Sequence, residues 1–426
     1  MTALAGPDGL ETRLRAAYRV ALPSAPQSLA DRIDPERPIE RERPAALASR
    51  RLGLGVFFVP VALAIVVIAL AVASGRTPEP STPTGSWAID RIDAVPAPAN
   101  VYDVWAVDVG LIAMTWRATS SVESTTLVLS ENEGRSWRAL DDPRPGFIAK
   151  NGIVTDGTLY LIGATGPPDD PTWWEVATSD GRTWQEVGEL SGFPPSHADV
   201  TWMAHGILGW VASLSVQPPG EASRYELRAS ADGIHWETPA LPGAAGEPFL
   251  GGIATDGQRF VVIRSFDDRG TTRTEALVSD DLRTWAAHPI VTADGSAGTV
   301  ASDGLRFVAV GSLTDSSPST VAAWTSRDGS AWTASDIATS HSRASSGLRL
   351  VLPTAAGFVA IGDEKGDAWL SADGLAWRQI AALPGDAQWD PFSAAVRSDT
   401  LVVGGRAGPD SAAAVWVTSL AAVGSH

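Results

Sequence analysis

The 426-residue chain contains no cysteine. It therefore has no disulfide, no thiolate nucleophile and no Cys-ligated metal site. That composition does not suit a disulfide-stapled ectodomain; it suits a bacterial exported domain that relies on its core. Lysine occurs only at Lys150 and Lys365, while alanine and arginine abound. Positive charge is scarce beyond the N-terminal part. Residues 77–426 carry 22 basic and 42 acidic side chains, and the whole chain has a net charge of −17. A surface so acidic repels a phosphate backbone, so no nucleic-acid partner is expected. Local signatures of catalysis are missing too. There is no Ser-His-Asp order, no GxSxG, no HExxH and no phosphate loop. No cofactor, no metal and no catalytic residue is assigned.

One long apolar run is present. Residues 52–74 read LGLGVFFVPVALAIVVIALAVAS, without a charge. Such a run is long enough to span the roughly 30 Å hydrocarbon layer. Arg41, Arg43, Arg50 and Arg51 precede it, and only Arg76 follows closely. That bias predicts a single-pass helix in the plasma membrane, with a cytoplasmic N-terminus and an extracytoplasmic C-terminal bulk. The alternative is a signal peptide cleaved after Ala73, since Ala71-Val72-Ala73 has the small-residue pattern. A leader of 51 residues and a long apolar core argue for the anchor.

Residues 1–51 form the predicted cytoplasmic arm. Leu10, Leu14, Tyr18 and Leu22 recur at four-residue spacing, which predicts a short helix ended by Pro23. A stretch rich in proline, arginine and glutamate follows, and disorder is expected there. Residues 1–33 are either a docking peptide for a cytoplasmic partner or a leader that aids insertion. Residues 75–85 are a Pro-rich spacer.

Beyond the spacer the chain repeats itself. The stretch Ser371-Ala372-Asp373-Gly374-Leu375-Ala376-Trp377 recurs as Ser326-x-Asp328 to Trp332 and Ser230-x-Asp232 to Trp236. Looser copies are Thr178-x-Asp180 to Trp184, Ser279-x-Asp281 to Trp285 and Ser130-x-Asn132 to Trp137. The closing tryptophans step by 47, 52, 49, 47 and 45 residues. A period of that size signals a propeller or solenoid. Within residues 251–289, turn signals separate four short β-type segments, the content of one propeller blade. First hairpins number seven and third strands number seven, but fourth strands after a box number only six. Gly85-Ser86-Trp87-Ala88-Ile89 matches Leu375-Ala376-Trp377-Arg378-Gln379 and lies 50 residues before Trp137. The expected fold is therefore an all-β, seven-bladed β-propeller over 86–420, its last blade closed by the N-terminal strand near Trp87, with a short tail at 421–426. Six or eight blades are the alternatives.

The box resembles the Asp-box, or BNR repeat, of sialidase-like propellers. Its Ser and Asp side chains fit a turn, its Gly fits a positive φ and its Trp fits a wedge between blades. The box residues Trp87, Ser130, Asn132, Trp137, Asp180, Trp184, Ser230, Asp232, Trp236, Ser279, Asp281, Trp285, Ser326, Asp328, Trp332, Ser371, Asp373 and Trp377 are thus read as structural. The resemblance implies that ligands bind on the opposite face, built from loops entering each first strand and loops between second and third strands. On that face stand Arg144, Lys150, Trp173, His197, Asp199, Arg269, His341, Arg343, Trp389 and Asp390. Trp173 and Trp389 either stack on a sugar or cap the core. Sialidases also need an arginine cluster, a Tyr–Glu pair, an acid and an Arg-Ile-Pro motif; Asp90-Arg91-Ile92-Asp93 lacks the proline. The leading reading is a non-enzymatic, membrane-anchored extracytoplasmic propeller that binds a protein or glycan. The alternative is a sialidase-like glycoside hydrolase, and a purely structural role is a third.

Overall fold

The computed structural model describes residues 87–94, 99–119, 122–195, 197–218, 220–243, 248–268, 271–290, 295–313, 320–337, 347–363, 366–381, 390–407 and 412–420. The arm, the apolar run 52–74, the spacer and the tail lie outside these. Among the described residues no helix is long and apolar enough to cross a membrane.

The described chain folds into seven sheets built from antiparallel hairpins, and no helix interrupts them. Their innermost strands are Asn100–Val107, Ile148–Thr155, Ala198–Gly206, Phe249–Thr255, Gly295–Ser302, Leu348–Thr354 and Asp390–Arg397. Each packs against the innermost strands of both neighbours, and the seventh packs against the first. The sheets are therefore blades of a closed ring. The strands form because Val, Ile, Leu, Phe and Ala alternate with polar residues and Gly-containing turns separate the runs. Second strands such as Phe260–Asp268 and Phe307–Leu313 are buried on both faces, since each blade is covered on either side.

The ring closes as the spacing predicts. Ala88–Arg91 pairs antiparallel with Ala412–Ser419 and becomes the outer strand of blade 7. The Trp87 indole donates to the Gly366 carbonyl at 2.8 Å, in a buried position. This N-terminal strand occupies the place that box-following strands fill elsewhere.

Two details differ from a uniform four-stranded blade. Blade 3 has three strands; beyond Trp236 only Glu237 bridges to Ala229. Pro239 and Pro242 follow there, and proline cannot donate to a ladder. Blade 6 gains a fifth, two-residue strand, Asp336–Ile337, which arrives from blade 5 and pairs parallel with Ala376–Ala381. Bridges Ser191 to His235 and Ala240 to Thr284 repeat that parallel contact at two other seams. The exit of one blade thus clips onto the box of the next.

The boxes do what their residues suggest. In blade 3 the Ser230 hydroxyl accepts from Gly233 N–H at 2.9 Å. Asp232 Oδ1 accepts from Ile234 and His235 N–H at 2.9 and 2.8 Å. The Trp236 indole donates to Gly233 O at 2.8 Å and is buried. The same bonds recur at Ser326, Asp328 and Trp332 and at Ser371, Asp373 and Trp377. In the looser copies Thr178 stands in for the serine and Asn132 for the aspartate. Gly233 sits at φ 82°, where a Cβ costs energy. Blade 4 places Leu282 there instead, at φ 65°, and buries its side chain among the blade 3–4 core.

These hydrogen bonds also hold the box carboxylates ionised. The Thr183 amide, then the Arg182 amide, lower Asp180 to about 2. The Thr284 hydroxyl and amide lower Asp281 to about 2. Unfolded aspartates titrate near 3.9. A depressed folded value means the stabilisation is present above the unfolded value and is lost as pH falls towards 2. The urea midpoint is therefore expected to fall between pH 5 and pH 3. An Asp180→Asn, Asp281→Asn double variant should show a shallower fall; an unchanged slope would count against this account.

Candidate functional site

An antiparallel blade sorts its turns. First and third strands run the same way, so the boxes that follow third strands share a face with the first-to-second-strand turns. Arg259 and Arg306, in such turns of blades 4 and 5, donate to the box carbonyls of Asp328 and Asp373 at 2.9 Å. The opposite face is where each innermost strand begins. A central cavity of about 490 Å³ opens among those beginnings.

The cavity owes its shape to a feature that recurs in every blade. Each innermost strand carries a register shift against its second strand, within its second to fourth residues. A β-bulge turns one residue out of the alternation and re-aims its side chain. The residues skipped are Tyr102, Lys150, Thr201, Gly298, Arg349 and Phe392, one per blade, and the pair Gly251-Gly252 in blade 4. Around the ring, blades 6, 7 and 1 therefore offer a guanidinium and two aromatic rings in succession. Blades 4 and 5 offer glycine. A Cβ on Gly251 would stand 2.3 Å from Gly298 O, so the two strands meet without side chains between them.

Side chains just past the bulges tie neighbouring innermost strands together, since no sheet hydrogen bonds link them. Asn151 Nδ2 donates to Val200 O and Thr201 O at 3.1 and 3.2 Å. Thr299 Oγ1 donates to Arg349 O at 3.1 Å. The Trp105 indole donates to Gly152 O at 3.0 Å. The Ser393 hydroxyl donates to Asp103 Oδ1 at 2.5 Å across the blade 7–1 seam. Val104 N–H donates to the same oxygen at 2.9 Å. Asp103 lines the cavity and is partly buried. Burial pushes its carboxyl up to about 7, against the pull of those two hydrogen bonds.

Five aromatic residues line the cavity: Tyr102, Trp105, Trp202, Phe249 and Phe392. The rings of Tyr102 and Phe392 lie 22° from parallel with centroids 6.2 Å apart. Phe249 meets Tyr225 edge-on at 4.8 Å. Burial raises the Tyr102 hydroxyl, with help from Asp199 and Asp103. Arg349 stands 5.0 Å above the Phe392 ring.

Of the sequence candidates, Lys150 takes a bulge position at the funnel mouth. Its Nζ lies 2.6 Å from Asp199 Oδ1, and His197 Nε2 approaches the same carboxylate at 3.7 Å. Asp390 bridges Arg349 at 3.2 Å and Arg406 at 2.7 Å. Arg144 lies away from the cavity, stacked at 3.4 Å on Trp174 and paired with Glu186 at 3.2 Å. Trp173 is core: it is 3% exposed, donates to Pro194 O at 3.0 Å and packs on Phe193. Arg269, His341, Arg343 and Trp389 lie outside the described residues. Among the described residues no three His, Asp or Glu side chains converge as a metal group would. Sequence reasoning missed Tyr102, Asp103, Trp202, Phe249, Arg349 and Phe392. All but Asp103 look like ordinary strand residues, and the bulge that re-aims Tyr102, Arg349 and Phe392 leaves no mark in a period-2 count.

No family model matches the chain, and no curated protein matches it. Solved structures do. An α-L-arabinanase of Penicillium chrysogenum complexed with arabinobiose is 15% identical, covers 80% of this chain and 99% of its own, and gives a TM-score of 0.42. YCF48 bound to D1 peptide is 13% identical over 82% and 99%, with a TM-score of 0.49. The Trypanosoma rangeli sialidase in complex with sialic acid is 13% identical over 80% of this chain and 59% of its own, at 0.41. At these identities the likeness is one of fold.

Proposed function

We propose that the chain is a membrane-anchored, non-enzymatic binding module whose site is the funnel on the face opposite the boxes. Its BNR-like boxes serve the fold, residues 52–74 anchor it, and the propeller stands outside the cell. One observation carries the binding reading. Among the described residues lining the cavity there is a single carboxylate, Asp103, set among five aromatic rings. Most glycoside hydrolases use two facing carboxylates, and sialidases use a Tyr–Glu pair with an acid; an aromatic funnel needs neither to bind. The two described arginines at the mouth, Arg349 and Arg406, are both paired with Asp390.

The hydrolase reading rests on Asp103 as well. A carboxyl pushed to about 7 is half protonated at neutral pH, as a general acid should be. A screen of the full-length chain on arrays of glycans and peptides, beside aryl glycosides, separates the two. Binding without hydrolysis is expected, and Phe392→Ala should weaken the bound ligand about tenfold. Hydrolysis lost in Asp103→Asn would establish the enzyme instead, and ligands indifferent to Phe392→Ala would remove the funnel from the proposal. Protease added to intact cells should reach the propeller; full protection would reverse the topology.

A further inference from the structure

The chemistry of the funnel points to more than a generic ligand. We propose that it receives an alkylammonium group, which the rings of Tyr102, Trp202, Phe249 and Phe392 surround and Asp103 meets at the base. The inference rests on the funnel being the binding site and adds the class of group bound.

Four observations support it. The first is the count of charge at the mouth. Each described cation there already has a carboxylate: Lys150 has Asp199 at 2.6 Å, while Arg349 and Arg406 share Asp390 at 3.2 and 2.7 Å. An incoming anion would have to displace one of those partners. The second is Asp103 itself. Both hydrogen bonds that described residues give it fall on Oδ1, from Val104 N–H and the Ser393 hydroxyl. Oδ2 receives no hydrogen bond from a described residue, and Asp103 lines the cavity. The third is the walls. Aromatic faces carry negative potential and attract cations within about 6 Å of the ring centroid, most strongly where water is excluded. The Phe392 ring already holds the Arg349 guanidinium at 5.0 Å, so the arrangement is realised once within the protein. The fourth is the wider field. Residues 77–426 carry 22 basic against 42 acidic side chains, which draws cations towards the domain and away from competing anions.

The floor favours such a group over a polyol. Asn151, Thr201 and Thr299 spend their donors on neighbouring carbonyls, so these three offer none to a ring of hydroxyls. An ammonium on a slender alkyl stem needs only the aromatic walls and one carboxylate oxygen. A lysine side chain of a peptide and a small free amine present the same group.

Calorimetric titration of the full-length chain distinguishes these sources and tests the inference. The probes are Nα-acetyl-lysine amide, its neutral isostere Nα-acetyl-norleucine amide, n-butylammonium and n-butyrate. The lysine amide is expected to bind about tenfold or more tightly than the norleucine amide. Asp103→Asn should erase that difference, and Phe392→Ala should weaken both amides. Butylammonium matching the lysine amide would identify the group alone as sufficient, and a tighter lysine amide would identify a peptide source. Equal binding of the two amides to the wild-type chain overturns the inference without recourse to any variant. So does the absence of binding by either ammonium probe. Binding of butyrate that Phe392→Ala abolishes would keep the funnel as the site while rejecting the cation.

Discussion

Trp87→Ala is expected to destabilise the propeller by about 3–5 kcal/mol, as for other buried tryptophans. The residue is 7% exposed, packs in the core of blades 6 and 7 with Trp416 and Ile380, and donates to Gly366 O at 2.8 Å. Among the described residues it lies next to the one strand that pairs the start of the propeller with its end. Ala88–Arg91 pairs with Ala414–Val417, and Ile92 N–H continues the contact to Ala413 O at 3.0 Å. Deleting residues 87–92 within the full chain should do more than the point substitution. It would leave blade 7 with three strands and an unpaired edge along Ala412–Ser419, a template for pairing with another copy. Urea unfolding followed by tryptophan fluorescence measures the first effect, and light scattering measures the second. A deletion variant with an unchanged midpoint and no association would contradict closure by this strand. Trp137→Ala, at a box whose tryptophan is only partly buried, should cost less than Trp87→Ala.

Glu175→Leu is expected to stabilise the protein, and more so as pH rises. Glu175 stands three residues before the box-starting Thr178, on the third strand of blade 2. The equivalent residues in other blades are Leu127, Leu227, Ala276, Ala323 and Ala368. It is 1% exposed, its Oε1 has no hydrogen-bond partner, and burial pushes its carboxyl up to about 8, with Asp232 adding to the effect. A carboxyl held neutral by burial adds no pH-dependent penalty below its unfolded value near 4.3. The penalty then grows by about 1.4 kcal/mol per pH step until the folded value is reached, so it approaches roughly 5 kcal/mol above pH 8. Glu175→Leu removes that dependence and adds an apolar side chain near the blade 2–3 core that holds Tyr160 and Trp210. Urea midpoints at pH 5, 7 and 9 should separate progressively between variant and parent. A constant gap would show that the gain comes from packing alone. Asp103, raised to about 7 by burial, adds a second slope of the same sign, between its unfolded value near 3.9 and 7.

Glu175 and Asp103 also show where reading along the chain stops. Both sit in strands whose alternation is ordinary, and neither belongs to a motif. Their chemistry comes from neighbours far away in sequence: the seam formed with Trp210, and Ser393, 290 residues from Asp103. Lys150, Asp199 and Asp390 stand within the first three residues of their innermost strands, a position that the repeat spacing alone gives. Arg144 and Trp173 occupy loop and strand positions of the same kind, yet one stacks on the flank of blade 2 and the other is core. Position along a blade fixes the face on which a residue stands, but not whether it points to the axis.

What the sequence determined by itself was the ring. A period near 47 residues, seven hairpins with six trailing strands, and an orphan copy at Trp87 are local facts, and local turn chemistry enforces each of them. A box needs only its own Ser, Asp, Gly and Trp to form, so it can be read without its neighbours. The funnel was decided by tertiary structure alone. Seven bulges each displace one or two residues from their strand, and only ring closure brings the displaced residues around one axis. The cavity's depth, the partly neutral Asp103 at its base and the pairing of every described cation at its mouth arise from that convergence, because burial and charge are properties of the assembled ring and of no single repeat.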